Sequence, residues 1–177
     1  MRHVQTFLPY DDFTATARAL DQRRLGKQRV ETIQILRALT WPKYGWRHHP
    51  AVKMWAGYEE ALVRYGLDIC AVWCEIGRSD TCADTLVADF TAACGGGLLR
   101  REDEPAGPVA IRRQDALARA GDLPPWLGDQ SFHLPHRAAL IRKDPDFYRP
   151  VFGDDVPEDL EYLWPPSDRP PGCRRAE

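Results

Sequence analysis

The densest run of chemically capable side chains in this 177-residue sequence is LDQRRLGKQRVE, residues 20–31. Its four cations stand close before a single glutamate, Glu31. At about 100° per residue, an α-helix over this run separates a polar side from an apolar side. The polar side comprises Arg23, Arg24, Lys27, Glu31 and Gln34, and the apolar side comprises Leu25, Ile33 and Leu36. Such cations can hold a phosphate backbone, and a lone carboxylate among them can move protons. The alternative is a solvated helix face on which Glu31 neutralises Lys27 one turn away.

Two further clusters combine cations with aromatic rings. The first comprises Tyr44, Trp46, Arg47, His48, His49, Lys53 and Trp55. The second comprises His133, His136, Arg137, Arg142, Lys143 and Tyr148. Aromatic rings can stack on an unpaired base while cations hold its phosphates. The alternatives are an aromatic hinge between two helices for the first cluster and, for Tyr148, a core anchor with a satisfied hydroxyl.

Neither the histidines nor the cysteines predict a metal or redox site. The pairs His48/His49 and His133/His136 lack a third ligand at a familiar spacing, so we expect no metal and no cofactor. The five cysteines form no CxxC pair, and their odd number predicts free thiols.

Helices must position these clusters. Asp11 or Asp12 can cap a brief helix that ends near Leu20, and Asp21 can cap a long helix that ends near Thr40, before Trp41-Pro42. Further helical patterns cover residues 51–76 with Gly66 as a weak point, 80–94, 109–120 and 134–143 with Pro135 in the first turn. Residues 98–108 have the composition of a loop, and a short strand over residues 109–111 is the alternative to a helix there.

The composition favours one mainly α domain. Hydrophobic residues make up 44% of the chain, with six each of Trp, Tyr and Phe. We therefore predict an all-α, compact single-domain helical bundle over residues 1–165 and a Pro-rich flexible tail over residues 166–177.

The charge distribution favours a local binding face. A net charge of -2 argues against a protein that coats nucleic acid along its length. Cations nevertheless outnumber acids through residue 53, and acids outnumber cations from residue 151 onward. The sequence has no apolar run of transmembrane length and no signal-peptide core, so we expect a cytoplasmic protein without a membrane partner or an obligate protein partner.

Four short segments resemble the pyrimidine-dimer DNA glycosylase family, the endonuclease V type of glycosylase and AP lyase. The run Arg24 to Val30 resembles a Leu-Leu-Ala-Gln-Lys-Val run in the first long helix of its members. The loop Gly45 to Pro50, GWRHHP, is similar to their Gly-Tyr-Arg-His-His-Pro loop and is the most specific match. The helix from Tyr58 to Gly77 follows the family's middle helix. The segment from Leu134 to Gly153 is similar to their Ile-Pro-His and Pro-Thr-Trp-Tyr-Lys-Tyr-Tyr-Gly stretches.

The resemblance implies a compact α-helical enzyme that distorts double-stranded DNA and excises a damaged or modified pyrimidine. It implies that the N-terminal amine, here of Met1, attacks the sugar C1′ and that the resulting Schiff base permits strand cleavage. An α-amine titrates near ~8, so it needs no burial to be partly neutral at working pH. DNA contacts are expected from Arg2, Arg23, Lys27, Arg29, Arg47, His48, His49, Lys53, His136, Arg137, Arg142 and Lys143, and base stacking from Trp46 and Tyr148.

The sequence departs from the family at the carboxylate. The family's catalytic glutamate falls on Arg23 or Arg24, which leaves Glu31 as the nearest replacement and Asp21 as the next. We assign Met1, Asp21, Arg24 and Glu31 as the catalytic candidates. Two other functions are considered: a non-catalytic DNA-binding module that uses the same basic face, and a metal-dependent nuclease built on the histidines.

Overall fold

The computed structural model describes residues 4–95 and 111–175. Within these ranges the chain forms eight α-helices and no strand, which confirms the all-α prediction. The helices are α1 (Phe13–Ala19), α2 (Gln22–Thr40), α3 (Pro50–Lys53), α4 (Glu59–Glu75), α5 (Cys82–Cys94), α6 (Gln114–Ala120), α7 (Gln130–Lys143) and α8 (Pro145–Phe152). Met1 and Arg2 lie outside the described residues, as do the loop expected over residues 98–108 and most of the alternative strand.

The first two helices begin where the sequence predicts. The Asp12 side chain accepts a hydrogen bond from the Ala15 amide at 2.7 Å and caps α1. The Asp21 side chain accepts one from the Arg24 amide at 3.0 Å and caps α2. Helix α2 ends at the extended residue Trp41, because Pro42 disfavours helical geometry at the residue before it.

Helices α2, α4 and α5 pack against one another at the centre of the domain. Gly66 lies inside α4 where it meets both neighbours. A Cβ atom at Gly66 would lie 2.7 Å from a methyl of Thr32 in α2 and 2.6 Å from a methyl of Leu86 in α5. Both neighbours are fully buried. Gly66 is therefore a close-packing position of the core and not the weak point expected from its helix propensity.

Two helical expectations are wrong in their bounds, and one further helix is not predicted from the sequence. Residues 51–76 do not form one helix, because a turn over residues 54–58 separates α3 from α4, with Gly57 at a φ of 79°. Helix α7 begins at Gln130, so Pro135 lies inside it and not in its first turn. Residues 145–152 form the unpredicted helix α8, which begins with Pro145 and is capped by Asp144.

An extended N-terminal segment, residues 4–9, is buried among the helices. Gln28 of α2 faces it: the Phe7 amide donates to Gln28 Oε1 at 3.0 Å, and Gln28 Nε2 donates to the Gln5 carbonyl at 3.0 Å. The hydroxyl of Tyr65 in α4 donates to the Phe7 carbonyl at 2.8 Å. Gln28 and Tyr65 are both 0% exposed. Buried side chains thus replace the strand partners that an extended backbone requires.

Two buried histidines of α7 hold the other edge of this segment. The Leu8 amide donates to Nδ1 of His136 at 3.1 Å. Nδ1 of His133 lies 2.7 Å from the Leu8 carbonyl, while its Nε2 accepts from the Gly128 amide at 2.9 Å. Each acceptor nitrogen requires a neutral ring. Burial lowers the pKa of both histidines, that of His136 to about 3.

The C-terminal segment makes specific contacts with the helices, although the sequence predicts a flexible tail from residue 166. The Tyr58 hydroxyl donates to Asp168 at 2.5 Å, and the Arg175 amide donates to the Thr40 carbonyl at 2.7 Å. Cys173 forms a disulfide bond with Cys94 at the end of α5. The prediction of five free thiols is therefore wrong for this pair, because the fold brings the segment back to α5.

Three cysteines, Cys70, Cys74 and Cys82, are free. None of the helices in the described part of the chain is long and apolar enough to cross a membrane.

Replacing Gly66 by Ala is expected to lower the free energy of unfolding by about 1–3 kcal/mol, because the new methyl overpacks a core that cannot yield easily. The gain in helix propensity offsets at most about 1 kcal/mol of this loss. Urea unfolding measures the change. Gly45→Ala is the control, because its Cβ would have nothing within 4 Å. Equal stabilities for the two variants would contradict the packing role of Gly66.

The two histidines predict acid sensitivity. The pKa of His136 is lower in the folded protein than in the unfolded chain. The contribution of neutral His136 to the free energy of unfolding is therefore complete above about pH 6.5 and is lost as the pH falls toward 3. The loss approaches about 1.4 kcal/mol per pH unit for this one group. His136→Gln keeps an acceptor for the Leu8 amide but does not titrate, so its free energy of unfolding should fall less steeply between pH 6.5 and 4.5. Parallel curves for the two proteins would refute this origin.

Candidate nucleic-acid interface

A groove of about 1300 Å³ runs along the polar side of α2. Four of the five residues predicted for that side line it: Arg23, Lys27, Glu31 and Gln34. The tertiary structure adds walls from four other places in the chain. Among the residues that the structure describes, the lining is Val4, Gln22, Arg23, Gly26, Lys27, Val30, Glu31, Gln34, Trp46, Trp73 and Lys143. The groove is therefore a joint product of the N-terminal segment, α2, the loop before α3, α4 and α7.

Glu31 lies where the N-terminal segment meets the groove. Its Oε2 accepts from the Gln5 amide at 3.0 Å and from Gln28 Nε2 at 3.4 Å. Burial raises the pKa of Glu31, and the Gln5 hydrogen bond and the charges of Lys27 and Lys143 offset that increase only in part. A carboxylate held in this way can exchange a proton closer to neutral pH than an exposed glutamate.

Lys143 brings a cation from the end of α7 to the same groove. Partial burial lowers the pKa of Lys143, and the like charges of Arg24, Lys27 and Arg142 lower it further. The charge of Glu31 raises the pKa of Lys143. The Glu31 carboxylate therefore lies within the field of two amines, Lys27 and Lys143, that belong to different helices.

The side chains of Asp21 and Arg24 bind each other at the start of α2. Asp21 Oδ2 accepts from Arg24 at 2.7 Å and from the Tyr148 hydroxyl at 2.6 Å, while the Tyr148 oxygen accepts from the Asp21 amide at 2.9 Å. Burial acts to raise the pKa of Asp21, but the hydrogen bonds from Tyr148 and Arg24 outweigh it and lower the pKa. The structure thus gives Asp21 and Arg24 a capping role outside the groove lining.

Several predicted DNA contacts are engaged within the fold. Arg29 pairs with Asp80 at 2.5 Å and lies over the Trp73 ring, 4.3 Å from its centroid. Arg137 donates to the Pro9 carbonyl at 2.8 Å. Arg142 donates to the carbonyls of Glu158 and Leu160. These guanidinium groups already donate hydrogen bonds to protein acceptors, so a phosphate contact would compete with those bonds.

Two side chains expected to act on DNA, Tyr148 by base stacking and His136 by direct contact, are buried. Tyr148 is 0% exposed, so no base can stack on it in this conformation, and the alternative of a core anchor with a satisfied hydroxyl describes it. His136 is 2% exposed and holds the N-terminal segment, so it does not contact DNA from this position. Tyr148 instead binds Asp21, and His136 binds the Leu8 amide.

The loop before α3 presents its side chains to solvent. Trp46, Arg47, His48 and Lys53 are exposed, and Trp46 is the member that lines the groove. Arg47 donates to the Pro42 carbonyl at 2.8 Å. His49 is half-buried and caps α3 through Nδ1, which accepts from the Ala51 amide at 3.1 Å.

Sequence reasoning did not select Val4, Gly26, Val30 and Trp73 as groove residues. Gly26 and Val30 lie on the exposed side of α2 between the cations, so the helical pattern alone could have indicated them. Val4 and Trp73 reach the groove only through tertiary packing. In the part of the chain that the structure describes, no group of three or more His, Cys, Asp or Glu side chains is arranged to hold a metal ion.

Comparisons with known proteins give one positive finding. Residues 4–86 match the family model of pyrimidine dimer DNA glycosylases. This range contains the N-terminal segment, α2, the loop before α3 and Glu31, but it ends before Lys143. No curated protein and no solved structure matched the chain.

Lys27→Ala is expected to weaken binding to duplex DNA at low salt and to reduce the slope of log K against log[salt] by about 1, because each phosphate contact releases about one counterion. Fluorescence anisotropy over a NaCl series measures the slope. Arg119→Ala is the matched control, because Arg119 is an exposed cation of α6 outside the groove. An equal change in both variants would refute a phosphate contact at Lys27.

Proposed function

We propose that this chain, whose residues 4–86 match the family model of pyrimidine dimer DNA glycosylases, acts as a member of that family: it excises a damaged or modified pyrimidine from double-stranded DNA and then cleaves the strand as an AP lyase. The observation that carries the proposal is the arrangement around Glu31 in the groove. Glu31 binds the N-terminal segment directly and lies among cations from α2 and α7.

We assign the N-terminal amine of Met1 as the nucleophile. Val4 lines the groove, and the next amide along the chain, that of Gln5, donates to Glu31. Three residues span at most about 11 Å, so the chain length allows the Met1 amine to reach the groove from Val4. In this proposal the N-terminal segment positions the nucleophilic amine at the groove.

In the proposed reaction the amine lone pair forms a C–N bond at C1′ while the glycosidic bond breaks. The bonding electrons leave with the base, which takes up a proton. Loss of a proton from nitrogen and opening of the sugar ring give the Schiff base. Removal of a C2′ proton then expels the 3′ phosphate by β-elimination.

Glu31 is suited to two parts of this sequence. As an anion it stabilises positive charge that develops on the sugar, and its raised pKa allows it to accept and return protons. Lys27, Lys143 and Arg23 would hold the flanking phosphates. Asp21, the other candidate carboxylate, is less suited, because Arg24 and Tyr148 already bind its oxygens.

Borohydride trapping on DNA with an abasic site tests the proposal. The wild-type protein should form a covalent adduct, and peptide mapping should place it on Met1. Acetylation of the N-terminus should abolish trapping, and Glu31→Gln should slow it by about 100-fold, the scale of a lost acid–base group.

Lys143→Gln is the control that distinguishes the Met1 amine from the Lys143 amine as the nucleophile. This variant should bind DNA more weakly, but the adduct should remain on Met1. An adduct on Lys143 would overturn the N-terminal assignment. Salt-sensitive binding without any adduct, unaffected by Glu31→Gln, would instead identify a non-catalytic DNA-binding module.

A further inference from the structure

Trp46 combines two properties that rarely occur together. Its side chain is 38% exposed, although indole is among the largest apolar groups. Its φ is 68°, and within residues 4–95 and 111–175 it is the one non-glycine residue in the left-handed region. A bulky residue adopts that conformation at a cost in free energy, and such costs concentrate at functional sites.

A hydrogen bond and a chain of ring contacts orient Trp46. The His49 amide donates to the Trp46 carbonyl at 2.7 Å, which closes the turn. The His49 ring meets the Trp46 ring edge to face, with centroids 5.6 Å apart. On its other side the His49 ring meets Trp164 of the C-terminal segment at 5.9 Å. Trp164 rests in turn on Tyr162 at 5.5 Å. Trp46 therefore has an exposed ring whose orientation is fixed by contacts with His49.

The position of Trp46 relates it to the charges of the site. It lines the same groove as Lys27, Glu31 and Lys143. The exposed indole and those cations therefore face the same groove. Trp41, by contrast, packs in the same loop against Tyr44 at 5.6 Å and lies under the Arg37 guanidinium, so the loop has a separate aromatic anchor. Trp46 is not needed for that purpose.

We propose that Trp46 is a wedge that enters the base stack of the DNA duplex beside the target nucleotide, and that Trp164 positions it through His49. The inference rests on the proposed function and deepens it, because a glycosidic carbon inside an intact stack is out of reach of a nucleophile. An apolar side chain inserted between base steps unstacks them and bends the duplex. The indole then fills the space that the displaced nucleotide leaves.

A fluorescence experiment tests the wedge without catalysis. The DNA carries 2-aminopurine, whose emission rises when it loses its stacking neighbours, next to a thymine dimer. Glu31→Gln protein at saturating concentration should raise the emission several-fold, because an inserted side chain separates the 2-aminopurine from its neighbouring base. Glu31→Gln/Trp46→Ala protein should leave it near the value of free DNA. Equal emission from the two proteins, or no rise with either, overturns the wedge.

The positioning role of Trp164 has its own control. In the Glu31→Gln background, Trp164→Ala should lose a large part of the emission rise, and Trp164→Phe should retain most of it, because a phenyl ring can still brace His49. Phe147→Ala is the matched control, since Phe147 is 41% exposed and lies outside the groove lining. A rise unaffected by Trp164→Ala overturns the positioning role.

Excision assays separate failure of the wedge from failure of the proposed function. In the active protein, Trp46→Ala should slow excision from a paired duplex about ten-fold or more, but should change it little when the dimer faces an unpaired bubble that is already unstacked. Equal losses on both substrates overturn the wedge while leaving the glycosylase proposal intact. Wild-type protein that excises from neither substrate overturns the glycosylase proposal, and the emission experiment still decides the wedge.

Discussion

The structure depends on burying an extended segment inside a helical domain. An extended backbone without strand partners exposes amide and carbonyl groups, and each would cost free energy if it were left unpaired in the core. Here the side chains of Gln28, Tyr65, His133 and His136 supply the missing partners from three helices. Because those donors and acceptors are themselves buried, the arrangement fixes amide orientation and histidine protonation at the same time. These hydrogen bonds thereby fix the positions of the three helices relative to residues 4–9.

The same capture creates the candidate site. Glu31 is one turn beyond Gln28 on α2, so the helix that fixes the segment through one side chain also presents a carboxylate to its backbone. Glu31 also lines the groove, and Lys27 and Lys143 provide positive charge beside this partly buried acid. Stability and proposed chemistry thus share one set of contacts, and a change that loosens the segment would also displace the groups expected to act on DNA.

Much of this arrangement was open to sequence reasoning and part of it was not. Capping aspartates and the 3.6-residue period identified α1 and α2, because these signals are local. The same reasoning did not separate Arg24 from Lys27, two cations one turn apart on one face. Tyr148, far along the chain, closes over Asp21 and Arg24 and leaves Lys27 to the groove. The period also merged α3 with α4, since the buried turn between them has the apolar composition of a helix.

The sequence by itself determined the all-α class, the basic face of α2, the aromatic loop with Trp46 and the resemblance to a family of DNA glycosylases, because each is written in residues close together in the chain. Only the tertiary structure decided which side chains of that face remain available, that Tyr148 and His136 serve the core, that Cys94 meets Cys173, and that Trp164 braces Trp46 through His49. These outcomes depend on contacts between residues far apart in sequence. Burial and hydrogen bonding select among chemically similar side chains only after the helices have packed.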